Sequence, residues 1–338
     1  MTLINSYPIA IFAFVICMVC WGSWANTQKM AKNYRFELYY WDLILGLVIT
    51  ALLAAVTLGS LGTEGRTFWE DLEQATQLSI IMALLGGIVW NLGNLLLVAG
   101  IALTGLAVAF PIGGGIAWIL GIAYNFLLEY LDKGTTEGSP LILLVGVIFI
   151  IIAIVFSAKS YRKLEAGKTN PSYKGIVVSV IAGVLIAFFY GFVVQSMDND
   201  FVAGGSGSLT PFTAVFFFSI GTLVCTLIAN PFFMRYPVEG PPVSMKGYAG
   251  ASMKEHAAGW AGGVIWMSGM VLSFMAVGAG SPAISYALSN AAPVVAAIWG
   301  VFIWKEFAKA RETTGKLLGG MFLFYLIGLV LIVLSKLL

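Results

Sequence analysis

Apolar stretches of roughly 20 residues alternate with short polar breaks ten times along this chain. At about 1.5 Å rise per residue, each stretch is long enough to cross a hydrocarbon core about 30 Å thick. The spans fall at about 7–28, 38–58, 79–101, 105–131, 140–158, 175–197, 209–234, 257–279, 282–304 and 316–337. The longest polar segments are residues 60–78 and 236–256, while the third-to-fourth and eighth-to-ninth connections are very short. The pattern predicts an all-α polytopic membrane protein. The first stretch lacks a basic n-region and exceeds an h-region in length, so it reads as a span and not as a cleaved leader.

The same phrase is written twice. "GGIVWNLG" starts at Gly86 and "GGVIWMSG" at Gly262, an offset of 176 in a chain of 338 residues. Aligning the fourth span with the ninth sets Glu129 over Glu306, an offset of 177, and each Glu closes its span. Ten spans therefore read as two copies of five: a first repeat at 1–158, a basic connection at 159–174 and a second repeat at 175–338. Five is odd, so the second copy is expected to cross the membrane inverted. Basic residues prefer cytoplasmic loops. Fifteen of the 18 Lys and Arg fall in connections 1–2, 5–6, 7–8 and 9–10, leaving Arg66, Lys133 and Lys336 for the other face. That bias predicts both termini on the non-cytoplasmic side and suits a bacterial inner membrane. Paired inverted repeats are the usual architecture of secondary transporters, with a midplane site exposed alternately to either side.

Composition narrows the choice. The chain is 59% hydrophobic and 10% charged, with a mean hydropathy of +0.93; soluble domains carry about 25% charged residues. The net charge of +2 and the lack of a basic cluster argue against nucleic-acid binding. One histidine, His256, placed by this reading in a loop, leaves no zinc set and no Ser-His-Asp triad, and no phosphate-binding GxxxxGK[ST] loop is present. The expectation is a protein that is not an enzyme and holds neither metal nor cofactor. Cys17, Cys20 and Cys225 read as small packing residues within spans.

Polar side chains at bilayer depth cost free energy and belong in a bundle interior or a cavity. The candidate substrate-binding set is Trp21, Trp24, Trp90, Asn91, Asn94, Trp266, Tyr286 and Asn290. Aromatic faces stack on sugar C–H surfaces or flat heterocycles, and amides satisfy hydroxyl or ureido groups. The same residues also serve plainer ends, since Asn bridges helices and Trp anchors at interfaces. Pro293 removes a backbone donor in mid-span, and Pro111, followed by Gly113, Gly114 and Gly115, suggests a weak turn in the fourth span. With Glu129 and Glu306, these prolines form a candidate gate or structural set. Asp42 sits about one turn inside the second span. It reads either as a partly desolvated proton-coupling carboxyl or as an interfacial carboxylate paired with Lys29 or Arg35.

Ten spans in two halves, the short 3–4 and 8–9 connections and the paired closing glutamates resemble the drug/metabolite transporter superfamily over the whole chain. "CWGSWANTQK", ending the first span, and "FELYYWD", opening the second, resemble the branch of ureide permeases, L-rhamnose–proton symporters and glucose-uptake permeases. The resemblance implies proton-driven uptake of a small neutral polar solute, a sugar or a ureide or nucleobase, with Trp21, Gly22 and Asp42 in or beside the path. The long central loop of plant ureide permeases, with its phosphate-binding character, is missing. The implied partners are a small-molecule substrate, a proton or other cation and the lipid bilayer, for a monomer or homodimer. An exporter of drugs or aromatic metabolites is the alternative.

Overall fold

A computed structural model describes residues 1–31, 34–104, 106–135, 138–164, 172–197, 206–238 and 240–338. It contains ten helices long and apolar enough to cross a membrane: Tyr7–Met30, Phe36–Leu61, Gln77–Thr104, Ile112–Lys133, Pro140–Leu164, Tyr173–Gln195, Pro211–Arg235, Met253–Met275, Pro282–Ile303 and Glu312–Ser335. They match the ten predicted spans. Their outward side chains, among them Phe12, Leu53, Leu141, Ile228 and Leu326, are large, apolar and exposed, as a lipid solvent requires.

The polar segments are more ordered than the hydropathy pattern suggests. Residues 60–78 hold a helix, Phe68–Gln74, opened by a capping box in which Thr67 and Glu70 satisfy each other's backbone N–H. A second box, Ser252 with Glu255, starts the eighth span at Met253. His256 therefore lies in the first turn of a helix and not in a loop.

The chain divides into two compact units, each drawing on both sequence halves: Met1–Leu92 with Phe189–Gly280, and Gly93–Phe188 with Ser281–Leu338. In the first unit, glycines let backbones touch. A Cβ on Gly46 would collide with the Trp260 carbonyl, and one on Gly263 with the Leu43 carbonyl, so spans two and eight meet main chain to main chain. Spans seven and three do the same through Gly221 against the Leu84 carbonyl and Gly87 against the Phe218 carbonyl. Gly46 to Gly221 is an offset of 175 and Gly87 to Gly263 one of 176, so the two seams use corresponding positions of the repeated sequence. Such small-residue contacts hold helices together in lipid, where burial of apolar surface supplies little drive.

In the second unit spans five and ten pack through Gly146 and Gly328, each facing the other's carbonyl. Spans four and nine are cross-bonded: Trp118 Nε1 donates to the Ala287 carbonyl at 3.0 Å, and the Tyr286 hydroxyl donates to the Ala117 carbonyl at 2.7 Å. The Tyr286 ring lies over Gly121, where no Cβ would fit. The expected weak turn after Pro111 is not a break, because the helix Leu106–Lys133 runs through it. Gly113 and Gly115 are occupied with close packing against Leu97, the Ser179 carbonyl and Ile154. The Pro111 side chain lies outside the described residues.

Span nine is irregular. It is interrupted at Asn290–Ala291, between helices Pro282–Ser289 and Ala292–Ile298, and widens into a π-turn over Trp299–Ile303. Ser281, at φ 71°, and Lys305, at φ 53°, flank it in the left-handed region that non-glycine residues avoid.

The seam carries a stability prediction. Gly263→Ala should cost about 1–3 kcal/mol through overpacking against the Leu43 carbonyl, read as a lower thermal unfolding midpoint in detergent. Gly315→Ala, with open space around it, should melt like the parent protein or slightly higher. Equal midpoints for the two variants would refute backbone contact at the seam.

Candidate functional site

Three of the predicted aromatic residues meet in the first unit. Trp266 stacks on Trp21 with centroids 5.2 Å apart and planes 13° apart, and it lies 4.2 Å from Trp90 and 5.8 Å from Phe218. Trp90 and Trp266, which correspond in the repeat, thus touch each other. Trp21 Nε1 donates to the Trp266 carbonyl at 3.0 Å, and Gly269 admits Cys20 and Trp21. Phe189 extends the cluster from the sixth span, 6.1 Å from Trp21. With 4–8% exposure for the three tryptophans, the rings fill their own space in this conformation. Trp24 is half-buried, and its carbonyl receives both the N–H and the hydroxyl of Thr27.

Asn91 is committed to bridging helices. The Tyr40 hydroxyl donates to its Oδ1 at 2.6 Å, and its Nδ2 donates to Thr226 Oγ1 at 3.1 Å, joining spans two, three and seven. Tyr40 and Thr226 escaped the sequence reading because a hydroxyl carries no signal of its own there. Asn94 is buried in the second unit. Tyr286 is buried and spent on span four. Asn290 sits at the interruption of span nine, only half-buried, with Nδ2 3.2 Å from the Tyr286 carbonyl. Pro293 occupies the second position of the helix that follows, with no N–H to offer the Ser289 carbonyl. Glu129 is buried within a continuous helix, whereas Glu306 follows the π-turn and its N–H donates to the Gly300 carbonyl at 2.9 Å.

Asp42 is the most specific arrangement in the chain. Its side chain is fully buried. The Tyr34 hydroxyl donates to Oδ2 at 2.7 Å, the Tyr248 hydroxyl to Oδ1 at 2.7 Å, and His256 Nδ1 lies 2.8 Å from Oδ2. Tyr34 and His256 are themselves 3.4 Å apart. Burial and the hydrogen bond to Asp42 push both Tyr34 and Tyr248 well above the usual phenol range, so both stay protonated donors. Arg35, an expected partner, turns instead to Glu37 at 2.7 Å. Residues 256, 259 and 263 share one face of span eight, and Gly259 abuts the Asp42 Cβ. The missed residue is His256, and the Ser252-x-x-Glu255 box was the signal that could have placed it on a helix.

At the opposite end of the same unit, buried Asp71 accepts from Arg66 Nε at 3.0 Å, from Gln74 Nε2 at 2.8 Å and from the Thr210 N–H at 2.7 Å. This cluster ties the 2–3 connection to the start of span seven.

The sequence profile described as "Ureide permease" matches residues 39–171 and 168–335. "Ureide permease 1" of Arabidopsis thaliana is 25% identical, with 99% of each chain covered. "Putative sugar uptake protein lmo0424" of Listeria monocytogenes is 27% identical over 87% of this chain and 89% of that one. A crystal structure of a chain 13% identical superposes with a TM-score of 0.61, covering 97% of this chain and 98% of the other, a likeness of fold.

The asparagines differ in what they should cost. Asn91→Ala removes the acceptor of the Tyr40 hydroxyl and the donor to Thr226 and should destabilise the purified protein by about 1–3 kcal/mol, while Asn290→Ala should change stability by no more than about 0.5 kcal/mol. A harmless Asn91→Ala would show that the bridge is not structural.

Proposed function

The chain belongs to the ureide permease family, and on that premise we propose that it imports a small neutral polar solute, a sugar or a ureide or nucleobase, together with a proton. That it is an integral membrane transporter of small polar solutes follows from its family and its ten apolar helices. The proposed mechanism is alternating access around a midplane cavity, with two inverted five-helix repeats supplying the gates. The proposed setting is a bacterial inner membrane, both termini on the non-cytoplasmic side.

The observation that carries the coupling is Asp42, buried against a histidine and two hydroxyls that cannot neutralise it. Its four members come from the second span, the eighth span and two connections, so they assemble only while those segments stay together. Imidazole and carboxylate can each accept a proton, and here they stand 2.8 Å apart. When the carboxylate is charged it accepts three bonds; once protonated it has fewer acceptor sites and the lock weakens. The corresponding positions in the other half, Phe217 at an offset of 175 from Asp42 and Ile80 at 176 from His256, cannot ionise. The other end instead pairs its carboxylate, Asp71, with the Arg66 guanidinium at 3.0 Å, so the two ends are held by different chemistry.

Substrate neutrality is supported by the aromatic and amide groups of the candidate site, which carry no charge. Asn290, at the break of a discontinuous span, is the amide best placed to meet a solute, as interrupted helices commonly line transport sites. The named relatives are a ureide permease and a sugar uptake protein, and these set the substrate classes to test.

In proteoliposomes given rhamnose, glucose, allantoin or uracil, one class should accumulate only with an inward proton gradient. Asp42→Asn should abolish that accumulation, at least about tenfold, yet keep solute exchange without a gradient; unchanged accumulation would end the assignment. Tyr248→Phe removes one hydroxyl donor to the carboxylate and should lower gradient-driven accumulation severalfold; accumulation equal to that of the parent protein would contradict the lock. Efflux of aromatic compounds with no uptake would establish an exporter instead.

A further inference from the structure

A cavity of about 500 Å³ opens beside the basic 7–8 connection, lined by Trp41, Leu227, Pro231, Met234, Met245 and Arg235. Its volume lies within the range of small-ligand sites, about 300–1,000 Å³. The lining is built by identifiable means. Pro231, inside the seventh span, has no N–H to return to the Leu227 carbonyl, which loosens the helix there. Trp41 Nε1 donates to Met234 Sδ at 3.3 Å, holding the indole against span seven, and the Val243 N–H donates to the Met234 carbonyl at 2.9 Å, strapping the connection over the opening.

We propose that this groove binds an anionic phospholipid from the leaflet on the basic side, one acyl chain in the groove and the phosphate on Arg235. Three observations select that occupant. The walls carry no charged group other than Arg235, which suits hydrocarbon and not a sugar or ureide. The surroundings face lipid, since Leu227, Ile228, Phe232 and Met245 are 52–74% exposed. Arg235 closes the seventh span at headgroup height, its guanidinium 5.6 Å from the Tyr236 ring, and Lys246 follows Met245 on the exposed rim. Glu239, in the same connection, lies outside the described residues. Arginine presents a fork that matches phosphate, and basic pockets at helix ends on the cytoplasmic side select anionic headgroups.

The test uses the full chain in nanodiscs, with phosphatidylglycerol or phosphatidylcholine carrying brominated acyl chains as contact quenchers of tryptophan. Phosphatidylglycerol should quench with about fivefold higher affinity. Trp41→Phe should remove that quenched component, and Arg235→Gln should lower phosphatidylglycerol to the affinity of phosphatidylcholine. Should Trp41→Phe fold poorly, lipid retained by parent and Arg235→Gln protein in native mass spectrometry decides the matter alone. Equal quenching by both lipids, a preference that survives Arg235→Gln, or a second copy of the chain covering the groove and blocking both quenchers would each overturn the proposal.

Discussion

Spans two and eight touch backbone to backbone, and the chemistry at their end depends on that contact. Gly46 and Gly263 remove the side chains that would hold the helices apart, and Gly259 removes the one that would strike Asp42. Only then can His256, one turn earlier on the same face, reach the carboxylate at 2.8 Å. In lipid the close approach also supplies the attraction, because dispersion and weak polar contacts grow as backbones near each other. Helix packing and the carboxylate cluster rest here on the same three glycines.

A buried carboxylate without partners would be prohibitively costly, and a buried ion pair is tolerated only when its remaining lone pairs are filled. Asp42 meets that condition through two tyrosines that stay protonated. Asp71 meets it through a guanidinium, an amide and a backbone N–H. The first unit thus carries a closed carboxylate cluster at each end, one held by tyrosine hydroxyls and a histidine and one by a guanidinium, an amide and a backbone N–H. Between them lie the packed rings of Trp21, Trp90, Trp266 and Phe218, from four spans.

Spans four and nine of the second unit differ in regularity. Span nine has an interruption, a π-turn and a left-handed residue at each flank, while its counterpart, span four, runs as an unbroken helix in the described residues. Repeated sequence does not produce repeated strain. Pro293 and its neighbours lack the glycine packing that keeps the Pro111 region helical, and the cross-bonds from Trp118 and Tyr286 hold the two spans together just before the break.

Hydrophobic length alone determined the ten spans, because lipid forces every backbone group into helical hydrogen bonds and leaves the chain little choice. The recurrence of "GGIVWNLG" as "GGVIWMSG", the paired glutamates and the place of Asp42 about one turn inside the second span can also be read along the chain. Tertiary structure alone decided the partners. A lysine and an arginine stood nearest to Asp42 in sequence, yet the carboxylate went to a histidine 214 residues away and a tyrosine 206 residues away. Asn91, a candidate substrate amide with helix bridging as its plainer role, bridges Tyr40 and Thr226. Hydropathy records how deep a residue sits, but the helix face it occupies relative to distant spans is set by where glycines let backbones meet, and that is a property of pairs of helices and not of any one stretch.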